Sequence, residues 1–280
     1  MSEHLLVPGC RLSWSLIDLT PPWLQSPETI VMHHGIGANR DIFAGWLPAL
    51  TERYRILRFD MRGHGESARP DSATEIDMDR LTGDLLAVMD AAGVDRAHLL
   101  GESIGGTIAL NAALRVPDRV RTLTVSNGAN IGASIQSVAG WEHTIADEGM
   151  QAWSAMMMRA RFHDGALPPE AWRWFESQQS AACPHTVLRM LHALVGADLA
   201  GKVPDLRPPL LLMHPDGSPF IPVPIMSALR DLVPGSRLHV IGHAKHGLPF
   251  SHAAVCSGVF ANFLAEQTLS VLTAPAGDTR

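Results

Sequence analysis

Short apolar runs alternate along this chain with longer stretches in which apolar residues recur every three or four positions. The runs at 29–33, 55–59, 96–100, 120–125, 210–213 and 237–241 have the length and the β-branched or aliphatic content of buried strands. Residues 41–53 carry Phe43, Leu47 and Leu50 at helical spacing. Residues 77–92 place Met78, Leu81, Leu85, Val88 and Met89 on one helical face, with Asp77 to cap the start and Gly93 to end it. A further helix is expected over 104–115, stopping before Pro117, and a last one over 251–264 with Val255, Val259 and Phe263 on one side. From 128 to 205 no strand pattern occurs, and amphipathic stretches rich in Trp, Met and Ala predict an all-helical insertion. The order predicts an α/β architecture: a mostly parallel sheet flanked by helices, built from residues 1–127 and 206–280 and interrupted by a helical cap at 128–205. The tail beyond 272 is expected to fray.

Composition narrows the function classes. Of 280 residues, 46% are hydrophobic and 18% charged, enough apolar content for a sizeable core. The formal charge of -6 and the lack of any Lys/Arg run argue against a nucleic-acid surface; Lys202 and Lys245 are the only lysines. Cys10, Cys183 and Cys256 lie too far apart in sequence to suggest a disulfide framework or a zinc cluster. Residues 1–4 lack the features of a leader, and no uninterrupted apolar stretch could span a bilayer. A soluble cytoplasmic protein, monomer or homodimer, acting on a small molecule is the expectation.

The candidate chemistry centres on Gly101-Glu102-Ser103-Ile104-Gly105, which fits the G-x-S-x-G nucleophile elbow and lies between an expected strand and an expected helix. A serine hydroxyl needs a base, usually a histidine oriented by a carboxylate. The loop after 237–241 offers His243 and His246; His246, which leads into the last helix, is the expected base, and His243 a structural residue. A metal pair from the two histidines lacks a third ligand in register, so no metal is expected. Asp216 is the only carboxylate in the loop after 210–213 and is the candidate acid; the alternative is a turn aspartate capping the backbone near Gly217. Two backbone N–H groups, from Ile36 in His34-Gly35-Ile36-Gly37 and from Ile104, would hold a tetrahedral oxyanion.

Taken together, the His34-Gly35 loop, the stretch Phe59-Asp60-Met61-Arg62-Gly63-His64-Gly65-Glu66-Ser67, the Ser103 elbow and the His246 loop resemble the α/β-hydrolase superfamily with a helical cap. The resemblance covers nearly all of residues 10–268. It implies a cofactor-free serine hydrolase in which Asp60 and Arg62 hold a turn. Within the superfamily the chain looks most like 3-oxoadipate enol-lactonase and related small-ester hydrolases, through Gly149-Met150, Arg161-Phe162, Asp198-Leu199 and Pro204-Asp205-Leu206. One departure stands out. Counted back from Pro219 and Pro222, the position that holds the acid in that family is Ser218, so either the loop is rearranged or the acid is weak or absent. The other site used by relatives holds Ser126-Asn127-Gly128 and has no carboxylate.

The insertion should set substrate choice, with Trp141, Trp153, Met157 and Arg161 as candidate substrate contacts and Arg161 as one possible anchor for a substrate carboxylate. A small ester or lactone, split through an acyl-enzyme, is the leading expectation. Carbon–carbon bond hydrolysis or acyl transfer at the same site is an alternative, as is a small-molecule receptor with vestigial turnover.

Overall fold

The computed structural model describes residues 2–273; of the expected fraying tail, 274–280 lie outside the described residues. Eight strands form one sheet: β1 (Glu3–Val7), β2 (Cys10–Ile17), β3 (Thr29–His33), β4 (Arg55–Phe59), β5 (Ala97–Glu102), β6 (Val120–Ser126), β7 (Leu210–Pro215) and β8 (Arg237–Ile241). Their order in space is β1-β2-β4-β3-β5-β6-β7-β8. From β4 to β8 every neighbour pair is parallel, and the two antiparallel pairs are those of β2 with β1 and with β4. All residues of β3 and β5 are buried, because helices cover both faces of the sheet, and this is why these strands read as continuous rather than alternating apolar runs.

The antiparallel hairpin β1–β2 was not among the expected elements. It turns at Pro8-Gly9, with Gly9 at φ 70°, and its inward positions Leu12 and Trp14 alternate with Arg11 and Ser13.

On one face of the sheet lie α2 (Met78–Ala91) and α3 (Ile104–Arg115), which bury Leu81, Leu85, Val88, Met89 and Ile108. The Asp77 carboxylate caps α2 by accepting from the Arg80 N–H at 2.7 Å. The opposite face packs on a 3₁₀ segment (Arg40–Trp46), on α1 (Leu47–Leu50) and on residues of the C-terminal helix such as Phe260. A single helix over 41–53 was expected. Pro48 has no N–H to donate, so the chain tightens to 3₁₀ before it and only one α turn follows.

Between β6 and β7 the chain runs through α4 (Trp141–His143), a π-helical stretch (Thr144–Glu148), α5 (Gly149–Arg161), α6 (Pro169–Ala181) and α7 (Pro184–Val195). α8 (Val223–Leu232) connects β7 to β8, and α9 (Leu248–Ser251) and α10 (Ala253–Thr273) close the chain.

Candidate active site

The strand order reverses at β3. From β3 the chain moves to β4 on one side, then returns to β5 on the other. At such a switch point the loops leaving two neighbouring strands diverge and open a crevice at their carboxyl ends. The loop after β3 (His34–Gly37) and the turn after β5 (Ser103) meet there, joined by Asn127 after β6, Ser218 after β7 and His246 after β8.

Ser103 sits between β5 and α3 at φ 56° and ψ -125°, a conformation costly for a residue with a Cβ. Its N–H donates to the Ser126 carbonyl at 2.8 Å, anchoring the turn to β6. The flanking glycines are steric necessities: a Cβ on Gly101 would overlap the Gly105 carbonyl, and one on Gly105 would lie 2.5 Å from the His33 carbonyl oxygen. Strained in this way, the Ser103 hydroxyl lies 3.1 Å from His246 Nε2.

The other face of the imidazole departs from expectation. His246 Nδ1 lies 3.3 Å from Ser218 Oγ, which also receives the N–H groups of Phe220 (3.4 Å) and Ile221 (3.3 Å). Asp216 is not at the ring. Its two carboxylate oxygens take the backbone N–H groups of His243 (2.9 Å) and Ala244 (3.0 Å), which hold its carboxyl below the usual range. Asp216 thus braces the loop that carries His246, in which His243 takes a positive φ of 56°, rather than capping the backbone near Gly217. Asn127 Nδ2 donates to the His246 backbone carbonyl at 2.7 Å rather than to its ring. Burial, reinforced by the charge of Arg161, holds the His246 pKa well below that of a free imidazole, so the ring is kept neutral.

The loop after β3 is held from both sides. The Ile36 carbonyl accepts from Arg161 Nη2 at 2.6 Å, and the Gly37 N–H on the same peptide unit donates to His64 Nε2 at 3.0 Å. His34 Nε2 accepts from the Met61 N–H at 2.9 Å. An imidazole nitrogen that accepts a backbone N–H must be unprotonated, so His34 and His64 are fixed as neutral Nδ1–H tautomers. Burial agrees, lowering His33 and His64 to about 4 and His34 well below its ordinary value. His64 and Arg161 thus fix the Ile36–Gly37 peptide unit, and Ile36 lines the space at Ser103; the Ile104 amide opens α3 and has no carbonyl partner within its helix.

Above the serine the lining is largely apolar and comes mostly from the helical insertion: Trp141, Met157, Leu191 and Leu194, with Phe220 and Ile221 from the loop after β7. The cavity there is only about 20 Å3. That is room for one or two waters. Of the candidate substrate contacts, Trp141, Met157 and Arg161 line this space. Trp153 does not: it is fully buried beside Gly37 and meets the Trp141 ring edge-on at 5.2 Å.

Arg161 is buried and committed to the protein. Besides the Ile36 carbonyl, its Nε donates to Gln179 Oε1 at 2.9 Å and its Nη1 lies 3.5 Å from Glu102 Oε1. Its backbone carbonyl accepts from the Gly247 N–H at 2.9 Å, next to His246. An anchor for a substrate carboxylate would need a free guanidinium edge, and these contacts use all three nitrogens. Glu102, read in sequence only as the variable residue of the elbow, lies fully buried with Oε1 3.8 Å from His246 Nε2. The one signal for it was a carboxylate inside the apolar run Leu99–Ile104. Among the described residues no group of three His, Cys, Asp or Glu side chains could hold a metal ion, and no helix is long and apolar enough to cross a membrane.

Comparison with known proteins agrees with this architecture. The chain is 27% identical over 255 residues to the 2-hydroxymuconate semialdehyde hydrolase of Pseudomonas sp. strain CF600, covering 87% of this chain and 89% of that protein. Its fold superposes on the crystal structure of the enol-lactonase from Burkholderia xenovorans LB400 with a TM-score of 0.83 at 24% identity, over 94% of this chain and all of that one (100%). A hydrolase from Pseudomonas aeruginosa PA01 gives a TM-score of 0.82, again at 24% identity, over 94% of this chain and 98% of the other. Residues 28–253 match the family described as alpha/beta hydrolase fold, and with the sheet order and elbow above, the chain belongs to that family.

Proposed function

We propose that this protein is a serine hydrolase that splits a small, uncharged ester or lactone through an acyl-enzyme. The observation that carries the reading is the Ser103 hydroxyl on a strained elbow, 3.1 Å from a buried, neutral His246. In the tautomer that carries its proton on Nδ1, facing Ser218 Oγ, the ring presents the Nε2 lone pair to Ser103. As Oγ attacks the substrate carbonyl, Nε2 takes its proton, and the amides of Ile36 and Ile104 receive the developing oxyanion. The imidazolium then protonates the leaving alkoxide. A water, deprotonated by the same nitrogen, releases the acid from Ser103.

The substrate class follows from the space above the serine. Its walls are apolar, and its one cation, Arg161, is already balanced by Glu102 and bound to Gln179 and the Ile36 carbonyl. A charged acyl group would lose its hydration there without gaining a partner. About 20 Å3 is too little for even a small ester, so the helices of 128–205 must act as a cap that shifts to admit substrate and closes over it. Carbon–carbon bond cleavage at the same site is the second reading, supported by the 27% identity to the semialdehyde hydrolase; a panel of diketones beside short esters separates the two.

Replacing Ser103 with Ala tests the reading. Ester turnover should fall by about 10³-fold or more, with an unchanged melting profile. Undiminished turnover overturns it.

A further inference from the structure

Glu102 is the carboxylate that the proposed mechanism leaves unused. It is the last, buried residue of β5, directly before the nucleophile, and neither of its oxygens is met in hydrogen-bond geometry, its closest cation being Arg161 Nη1 at 3.5 Å. A buried carboxylate held by one loose ion pair is costly, and such groups cluster where their charge serves a site. If Glu102 existed only to neutralise Arg161, a paired fork-to-fork contact would be the natural arrangement. Instead a single nitrogen of Arg161 approaches one oxygen at 3.5 Å. That same oxygen is 3.8 Å from His246 Nε2, while Oε2 lies against Gly35, where any Cβ would overlap it. Gly35 is therefore the residue that leaves Glu102 room beside the reacting nitrogen.

We propose that Glu102 supplies the negative charge usually placed behind the histidine: its carboxylate faces His246 Nε2 and stabilises the imidazolium formed when Ser103 gives up its proton. The inference rests on the serine-hydrolase reading above. In the step itself the Ser103 O–H bond breaks, an Nε2–H bond and an Oγ–carbon bond form, and the carbonyl electron pair moves to the oxyanion; Glu102 exchanges no proton. It acts through His246 as a positioning residue for charge, and Ser218 orients the ring. Among the described residues, no other carboxylate lies within 4.0 Å of the His246 ring nitrogens.

The groups facing this pair are few. Glu102 meets Arg161 from α5, His246 from the loop after β8 and the Gly35 backbone. His246 meets Arg161, whose charge opposes the imidazolium, and His214 on β7, which burial holds neutral, its pKa lowered to about 4. Burial raises the Glu102 carboxyl to about 7, against the opposing pull of Arg161 and the Gly35 backbone, while His246 is lowered. Acidification through neutrality thus protonates Glu102 first and leaves His246 a neutral base without its charge partner.

The test uses the full chain and an activated short-chain ester. In the wild type, kcat/KM should fall about tenfold or more between pH 8 and pH 6 to a lower plateau. Glu102→Gln should show that lower level throughout, flat across the same range, with KM changed less than about threefold. Glu102→Asp, which keeps a charge opposite Arg161 but draws it back from Nε2, should fall between the two and guards against misfolding of the neutral variant. The second readout is independent of turnover. In a phosphonate adduct on Ser103, the His246 imidazolium observed by NMR should titrate about one pH unit lower in Glu102→Gln than in the wild type. An unchanged imidazolium titration, or wild-type kcat and pH profile in Glu102→Gln, overturns the role of Glu102 and leaves the hydrolase reading standing. Failure of the wild type to accept the phosphonate overturns both.

Discussion

Ser218 Oγ lies 3.3 Å from His246 Nδ1, in the place from which a carboxylate would orient the ring. Two backbone N–H groups, of Phe220 and Ile221, already converge on that oxygen and would serve a carboxylate equally well. Ser218→Asp is therefore expected to raise kcat/KM for a neutral ester by about tenfold and to move the acid limb of the profile upward. Ser218→Ala removes only a neutral hydrogen bond and should cost a few-fold. Steady-state kinetics of the two variants check both.

Arg161 joins the helical insertion to three parts of the site: the Ile36 carbonyl, Glu102 and, through its own carbonyl, the Gly247 N–H. Arg161→Met should lower kcat by about 10- to 100-fold while KM for a neutral ester moves little, because an oxyanion donor loses its support. Wild-type enzyme should prefer a neutral acyl chain over the isosteric carboxylate-bearing one by about tenfold or more in kcat/KM. If Arg161 anchors a substrate carboxylate instead, the variant will lose KM for charged substrates alone.

Five buried histidines should make the protein acid-labile. His33, His64 and His214 are lowered to about 4, and His34 and His246 are also depressed. A depressed folded pKa means that the unfolded chain takes up the proton first, so stability is full above the unfolded value near 6.5 and is lost as pH falls toward 4. Each such histidine contributes about 1.4 kcal/mol per pH unit in that window. Glu102, Asp60 and Asp84, whose carboxyls are raised, oppose the trend by binding protons earlier in the folded state. The net expectation is a loss of a few kcal/mol per pH unit below about pH 6, measured by urea unfolding across pH 4.5–8. His64→Gln should flatten the curve.

How legible the site was depended on whether its parts are local in sequence. Ser103 and Ile104 belong to one turn whose glycines and flanking strand and helix lie within a few residues, and His246 lies just past a clear strand. The partner of His246 was harder, because a search for a carboxylate in the right loop finds Asp216. Only the fold reveals that Asp216 is committed to two backbone amides and that Ser218, at the position the family pattern marks, reaches the ring. Glu102 and Arg161 meet from elements 59 positions apart, and no periodicity links them. The same holds for Trp153 and Met157: both lie on α5 one turn apart, yet only Met157 borders the space above the serine.

The proposed mechanism stands on Ser103 as a nucleophile activated by His246. Its most direct test is exposure of the wild-type chain to a small fluorophosphonate, followed by intact-mass and peptide-mapping analysis. One adduct per chain, on Ser103, formed at least about a hundredfold more slowly in His246→Ala, is the predicted result. No adduct, or ester turnover that survives full labelling of Ser103, would rule out that role.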